Sequence, residues 1–425
     1  MSQYKAYPAY KDSGVEWIGK VPEHWDVARI KWVAGLRKER RGDVPADATY
    51  IGLEDVEAAS GQYKPTKGDS RQTEDSTVGI FYEGDVLYGK LRPYLRKAIV
   101  ADMNGACSTE FLVLMAVKAV PSWLQQWLLT PETTHQIEAG CEGAKMPRAD
   151  WEHVGSIEAT YPAPEEQSQI IYTLNSEAIR IDALIQKKTR FIDLLNEKRQ
   201  ALITHAVTKG LDPNVKMKDS GVEWIGPMPM HWDIKPFFAL VDVLNRKNTG
   251  LIETNILSLS FGRVIKKPEN RNMGLMPESY ETYQIVEPGE IVFRFTDLQN
   301  DKRSLRSAEV TQRGIITSAY MAVKPHGIES TYLAWLMRSY DLCKVFYAMG
   351  GGLRQSLKFE DVRRLPVLIP SSEDQANITN AINVETDRID TLVEKTERSI
   401  ALLKERRAAF ITAALTGQID LRGEQ

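Results

Sequence analysis

The feature that most limits how this chain can fold is a long heptad helix that it carries twice. From Pro164 to Asp212 the sequence reads PEEQSQIIYTLNSEAIRIDALIQKKTRFIDLLNEKRQALITHAVTKGLD. Pro164 with Glu165 and Glu166 opens this stretch and Gly210 stands near its end, the start and stop signals of a helix. Alternating steps of four and three from Leu174 give Ala178, Ile181, Ile185, Lys188, Ile192, Leu195, Arg199, Leu202 and Ala206, a seam broken only at Lys188 and Arg199. Adding 208 to each number gives Ile382, Thr386, Ile389, Val393, Thr396, Ile400, Leu403, Arg407, Phe410 and Ala414, so the seam recurs near the C-terminus. Thr396 stands where Lys188 stood and Arg407 where Arg199 stood. Off the seam, Arg180-Ile181-Asp182 matches Arg388-Ile389-Asp390, and Ile203-Thr204 matches Ile411-Thr412, which marks a duplication.

A helix of about 44 residues spans roughly 66 Å. So narrow a seam cannot lie along a globular domain over that length, and the simplest arrangement pairs the two copies. Matched polar seam residues would then hold their register. The alternative is that each helix packs on its own domain. The seam by itself leaves parallel and antiparallel pairing open.

A second duplication opens each half. Lys11-Asp12-Ser13-Gly14-Val15-Glu16-Trp17-Ile18-Gly19, followed by Pro22, His24, Trp25 and Asp26, returns as Lys218 to Gly226 with Pro229, His231, Trp232 and Asp233. Tryptophans bury large areas and need a partner for the indole N–H, so these segments are expected to dock the start of each repeat. A direct ligand-contacting role is the alternative. Residues 416–420 correspond to 208–212, as in two units of a closed cycle with neighbouring ends around a pseudo-two-fold axis.

A hydrophobic content of 43% with 26% charged residues is globular composition, and no apolar run approaches the roughly 18 residues of a membrane span. No basic-then-apolar leader opens the chain, and Cys107, Cys141 and Cys343 form neither a disulfide framework nor a zinc spacing, so a cytoplasmic protein is expected. The net charge of −3 requires any basic surface to be local.

Between the repeated frames lie two divergent segments, 27–163 and 234–370, with short β-type runs punctuated by glycine and a Trp-bearing helix in each. The expected layout is therefore α+β: a first domain over 1–163, a helix over 164–210, a second domain over 211–370, and a second helix with its tail over 371–425. No catalytic constellation and no metal-ligand cluster stands out. Gly84 to Lys90 resembles a phosphate loop, but Leu91 replaces the required Ser or Thr and Arg92-Pro93 would break the following helix.

Basic and aromatic residues gather beside the expected strands. The first half has Arg37, Lys38, Arg40, Arg41, Lys64, Lys67, Lys90, Arg92, Tyr94, Arg96, Lys97, Lys145 and Arg148. The second has Arg246, Lys247, Arg263, Lys266, Lys267, Arg271, Arg294, Lys302, Arg303, Arg306, Arg354 and Lys358. Such residues neutralise phosphates and pair with base edges, so nucleic-acid binding is expected, although any single one could be an ordinary solvated charge.

The KDSGVEWIG…P…HW opening, the variable domain, the Pro164-Glu165-Glu166-Gln167 helix entry and the Arg-Ile-Asp tract, all duplicated, resemble the DNA specificity subunit of type I restriction-modification systems. The second entry, Pro370-Ser371-Ser372-Glu373-Asp374-Gln375, carries an extra residue and Asp for Glu. Lys145-Met146-Pro147-Arg148 is similar to the family's turn before the helix, whereas Arg354-Gln355-Ser356-Leu357 departs from it.

The resemblance implies two target-recognition domains separated by an antiparallel helix pair, reading a bipartite, asymmetric site in double-stranded DNA. It implies two methyltransferase partners carrying S-adenosylmethionine and, in restricting complexes, two motor-nuclease subunits using ATP and Mg²⁺. This chain would bind no cofactor and catalyse nothing itself. A methylase-only complex and a coiled-coil protein-interaction scaffold are the alternatives.

Overall fold

The computed structural model describes residues 4–45, 48–65, 77–143, 145–260, 262–267, 279–298, 304–349 and 356–422. Lys67, Arg271, Lys302, Arg303 and Arg354 lie outside them. The chain forms two compact units, Met1–Lys188 with Glu397–Gln425, and Thr189–Thr396. The division falls within the long helices, Pro164–Lys209 and Ser372–Leu415, so each unit contains part of both. Gly210 (φ 79°) and Gly417 (φ 73°) lie just past the two helix ends, in a left-handed conformation that costs glycine little.

In the first unit an antiparallel sheet runs Ala34–Leu36, Phe111–Ala116, Val86–Gly89, Ala98–Val100. A second sheet orders Arg40–Arg41, Val78–Phe81, Gly105–Cys107, Tyr50–Ile51, its last pair parallel. In the second unit Val241–Val243, Met321–Pro325, Ile291–Phe293 and Ser307–Glu309 repeat the antiparallel sheet. The tryptophan helices expected from sequence are Pro121–Leu128 and Ser330–Leu342.

The cores explain why the long helices stay attached. In the first unit Ile170, Ile171 and Leu174 join Phe410, Ala413 and Leu415 around Trp25, Trp123 and Trp127. In the second, Ile203, Ala206 and Val207 join Ile378 and Ile382 around Trp232, Tyr332 and Tyr340. Early residues of one helix meet late residues of the other within each unit, so the helices run antiparallel there. None of the seam positions from Leu174 to Ala206 or from Ile382 to Ala414 is exposed, including Ile181, Ile185, Ile192, Leu195, Leu202, Ile389, Val393, Ile400, Leu403 and Phe410. Within each unit, one stretch of each long helix packs against the other and against the domain in a shared core.

Among the described residues no helix is long and apolar enough to cross a membrane.

Candidate nucleic-acid interface

The repeated opening is a hairpin closed by its own side chains. Tyr10–Asp12 pairs with Lys20–Pro22, and Met217–Asp219 pairs with Pro227–Pro229. Asp12 accepts from the Gly14 amide (2.8 Å), as Asp219 does from Gly221 (3.0 Å). Each hairpin delivers a His-Trp pair to the start of a long helix. The Trp25 indole donates to Glu166 (3.1 Å) and His24 Nε2 lies 2.9 Å from the same carboxylate. In the other unit Trp232 donates to Asp374 (3.4 Å) and His231 Nε2 is 2.9 Å from it. Tyr7 also donates to Glu166 (2.9 Å), and burial followed by that carboxylate's charge pushes its hydroxyl well above the phenol range, keeping it a donor. The docking reading of the opening segments therefore accounts for Trp25 and Trp232, whereas Trp224 is 41% exposed.

Sequence reasoning named the next residue in the helix entry but gave it no structural role. Gln167, fully buried, accepts from the Val120 amide (2.7 Å) and donates to the carbonyls of Pro162 (2.8 Å) and Lys118 (3.3 Å). Gln375 repeats this with the Glu329 amide (2.8 Å) and Pro370 (2.9 Å). Each glutamine ties a helix start to the loop before the domain's own helix. The signal was available, because both glutamines obey the 208-residue offset.

The arginines that interrupt the two seams also find partners. Asp182 and Arg407 lie 3.5 Å apart in the first unit, while Arg199 bonds Asp390 in the second. Since 182 + 208 = 390 and 199 + 208 = 407, these are two copies of one bridge. The aspartate of each Arg-Ile-Asp tract thus receives the arginine that interrupts the opposite seam.

On this frame the candidate cations divide by what they already hold. Arg37 forks onto Asp85 (2.7 and 3.0 Å) and covers the Tyr82 ring at 4.6 Å. Arg246 bonds Glu290 and approaches Glu287 (3.4 Å). Arg306 must be corrected: it is fully buried, with its guanidinium donating to the carbonyls of Thr296 (2.9 Å) and Asp297 (3.3 Å), so it braces a loop and has no surface to offer a phosphate. Arg41 pairs with Glu39 (2.7 Å), Lys64 with Glu57 (2.5 Å), Arg148 with Glu110 (2.9 Å) and Arg263 with Asp390 (2.7 Å), yet all four remain largely open to solvent.

Lys38, Arg40, Lys145, Lys247, Lys266, Lys267 and Lys358 are exposed, and Lys90 and Arg294 are half-buried. Arg92 and Tyr94 are exposed, on a turn that also holds Arg96 and Lys97. That turn meets the Lys145–Arg148 segment through the Arg92 amide, which donates to Pro147 (2.8 Å), and a bridge between Leu91 and Arg148. Two groups far apart in sequence thereby form one basic surface in the first unit.

The second unit has a cavity of about 540 Å³ beside its helices, lined by Arg199, Arg263, Trp335, Arg338, Asn383 and Asp390 among others. Arg338 is enclosed there with its guanidinium donating to Gly262 and Ser307 (both 2.6 Å), and burial pulls its pKa down to about 10.

No family model matches the sequence. The chain is 22% identical over 208 residues to the type I restriction enzyme EcoDI specificity subunit of Escherichia coli, a match covering 47% of this chain and 46% of that protein, about half the length of each. It is 20% identical over 439 aligned positions to the MjaVIII specificity subunit of Methanocaldococcus jannaschii, covering 95% of both. Among solved structures it is similar to a chain from a study of complex assembly and conformational transition of a type I R-M system (TM-score 0.74, 17% identity, 94% of this chain and 99% of that one). It is also similar to the HsdS subunit of Thermoanaerobacter tengcongensis (TM-score 0.54, 17% identity, 94% and 98%). These likenesses establish the fold as that of two α+β domains on a long-helix frame.

Proposed function

We propose, from the premise that this chain is one of the type I restriction specificity subunits, that it reads DNA for such a complex and scaffolds its other subunits. The observation that carries this reading is the contrast between frame and insert. The hairpin, the helix-entry Glu/Asp-Gln pair and the Asp–Arg seam bridge are repeated residue for residue, whereas the domains they hold diverge and carry different exposed cations. Duplicated holders with dissimilar contents suit a bipartite, asymmetric target, one half to each domain. Backbone contacts from lysine and arginine would position the duplex and a few side chains would specify bases.

The chemistry would reside on partner chains: S-adenosylmethionine and adenine methylation on two methyltransferase subunits, and ATP and Mg²⁺ on motor-nuclease subunits where restriction occurs. Exposed apolar residues along the long helices, such as Ile179, Leu184, Phe191, Leu194 and Leu402, would give those partners a surface to dock on. The test is single-molecule sequencing for N6-methyladenine in DNA from cells expressing this chain with and without its methyltransferase. A two-part motif with a constant gap, present only with both chains, is expected. A co-purifying pair that leaves no motif would count against DNA reading and favour a protein-interaction scaffold.

A further inference from the structure

The turn between Val86–Gly89 and Ala98–Val100 is held in an unusual backbone state. Arg92 (φ 54°) and Arg96 (φ 48°) are both left-handed, a region that side-chain-bearing residues seldom occupy. Arg92 is so placed directly before Pro93, whose ring already restricts its predecessor. Such conformations persist only where the surroundings impose them, and they gather at functional sites.

The surroundings that impose this one can be named. The Leu95 amide donates to Arg92 (2.9 Å), the Arg92 amide to Pro147 (2.8 Å) and the Ala59 amide to Arg96 (3.0 Å), while Pro93 is buried. Arg96 and Lys97 turn back onto the carbonyls of Leu129 (3.4 Å) and Leu53 (2.5 Å). Arg148, across the bridge from Leu91, is held by Glu110 at 2.9 Å. What remains presented outward is Arg92, whose guanidinium has no partner among the described residues, with Tyr94 exposed two positions on.

A guanidinium donates two parallel N–H groups that match guanine O6 and N7 in the major groove, and a pre-set backbone leaves less freedom to lose on binding. We infer that Arg92 is a specificity-determining residue of the first unit, pairing with a guanine in the half-site that unit reads. The inference rests on the DNA-reading function proposed above and deepens it. Arg148, already matched by Glu110, contributes through the turn's shape.

The experiment compares wild type, Arg92→Gly and Arg92→Lys in complex with the methyltransferase, selecting bound sequences from a randomised duplex library and measuring Tm. Glycine accepts the left-handed conformation, so Arg92→Gly should fold with a Tm no lower than wild type. It should lose about tenfold or more discrimination at one guanine–cytosine pair in one half-site, with the other half and the gap unchanged. Lysine cannot make the bidentate pair and should fall between. Wild-type discrimination at every position in Arg92→Gly, or a uniform loss of affinity on all sequences, would overturn the inference. A wild-type complex without sequence preference would overturn the reading beneath it as well.

Discussion

Asp374 shows how much a single residue does at a helix start, and how pH reports it. Burial raises its carboxyl pKa, but hydrogen bonds from His231, Ser371 and Trp232 outweigh that and hold it below the ordinary aspartate range. A group depressed in the folded state contributes stability that is present above its unfolded pKa of about 3.9 and is lost as pH falls through the folded value. Asp374→Asn should therefore destabilise the protein near neutrality, and its deficit against wild type should shrink as pH drops below about 4. Chemical denaturation at several pH values checks this; a deficit that stays constant through the acid limb would refute it. The same scale marks where sequence reading stopped. Arg37, Arg306 and Arg92 look alike in a string of letters, yet one forks onto Asp85, one is enclosed around carbonyls, and one is exposed with no guanidinium partner among the described residues. Their partners come from chain 48 residues away for Arg37 and from a loop's backbone for Arg306, and neither leaves a local pattern.

Among the elements, the long helices were the most legible part of the chain, because a heptad repeat shows in the order of residues before any contact forms. The seam separates positions sharply by burial: Leu195 is 7% exposed, whereas Leu184, off the seam, is 40% exposed. Leu195→Ala should cost about 2–4 kcal/mol by urea denaturation, since it leaves a cavity against the facing helix. Leu184→Ala should stay within about 0.5 kcal/mol. Equal losses at the two sites would refute the pairing face. The Asp182–Arg407 and Asp390–Arg199 bridges add little stability for their solvent exposure. What they specify is register, since sliding either helix by one position would leave an arginine in the seam without its aspartate.

The chain carries two closely matching frames around divergent domains that share a sheet and a tryptophan helix, and its strongest prediction belongs at that scale. Under the proposed function, replacing residues 27–163 with the corresponding segment of a type I specificity subunit should alter one half of the methylated motif and leave the other half intact. Changes in both halves would contradict a division of reading between the domains. The ends obey the same symmetry: the Asp420 amide donates to Lys5 (2.8 Å) in the first unit, at the place where the second unit runs covalently from Asp212 to Pro213.

The amino-acid sequence by itself determined the duplication, the two long helices and their seam, the docking segments that open each half and the alternation of constant frame with variable domain. Each of these is a local or periodic pattern, readable along one dimension. Only the tertiary structure decided that the helices run antiparallel within each unit, that buried glutamines lock both helix starts, and that Arg306 is enclosed while Arg92 is presented. Those outcomes depend on which distant segments meet and on what water can still reach, and no spacing along the chain encodes either one.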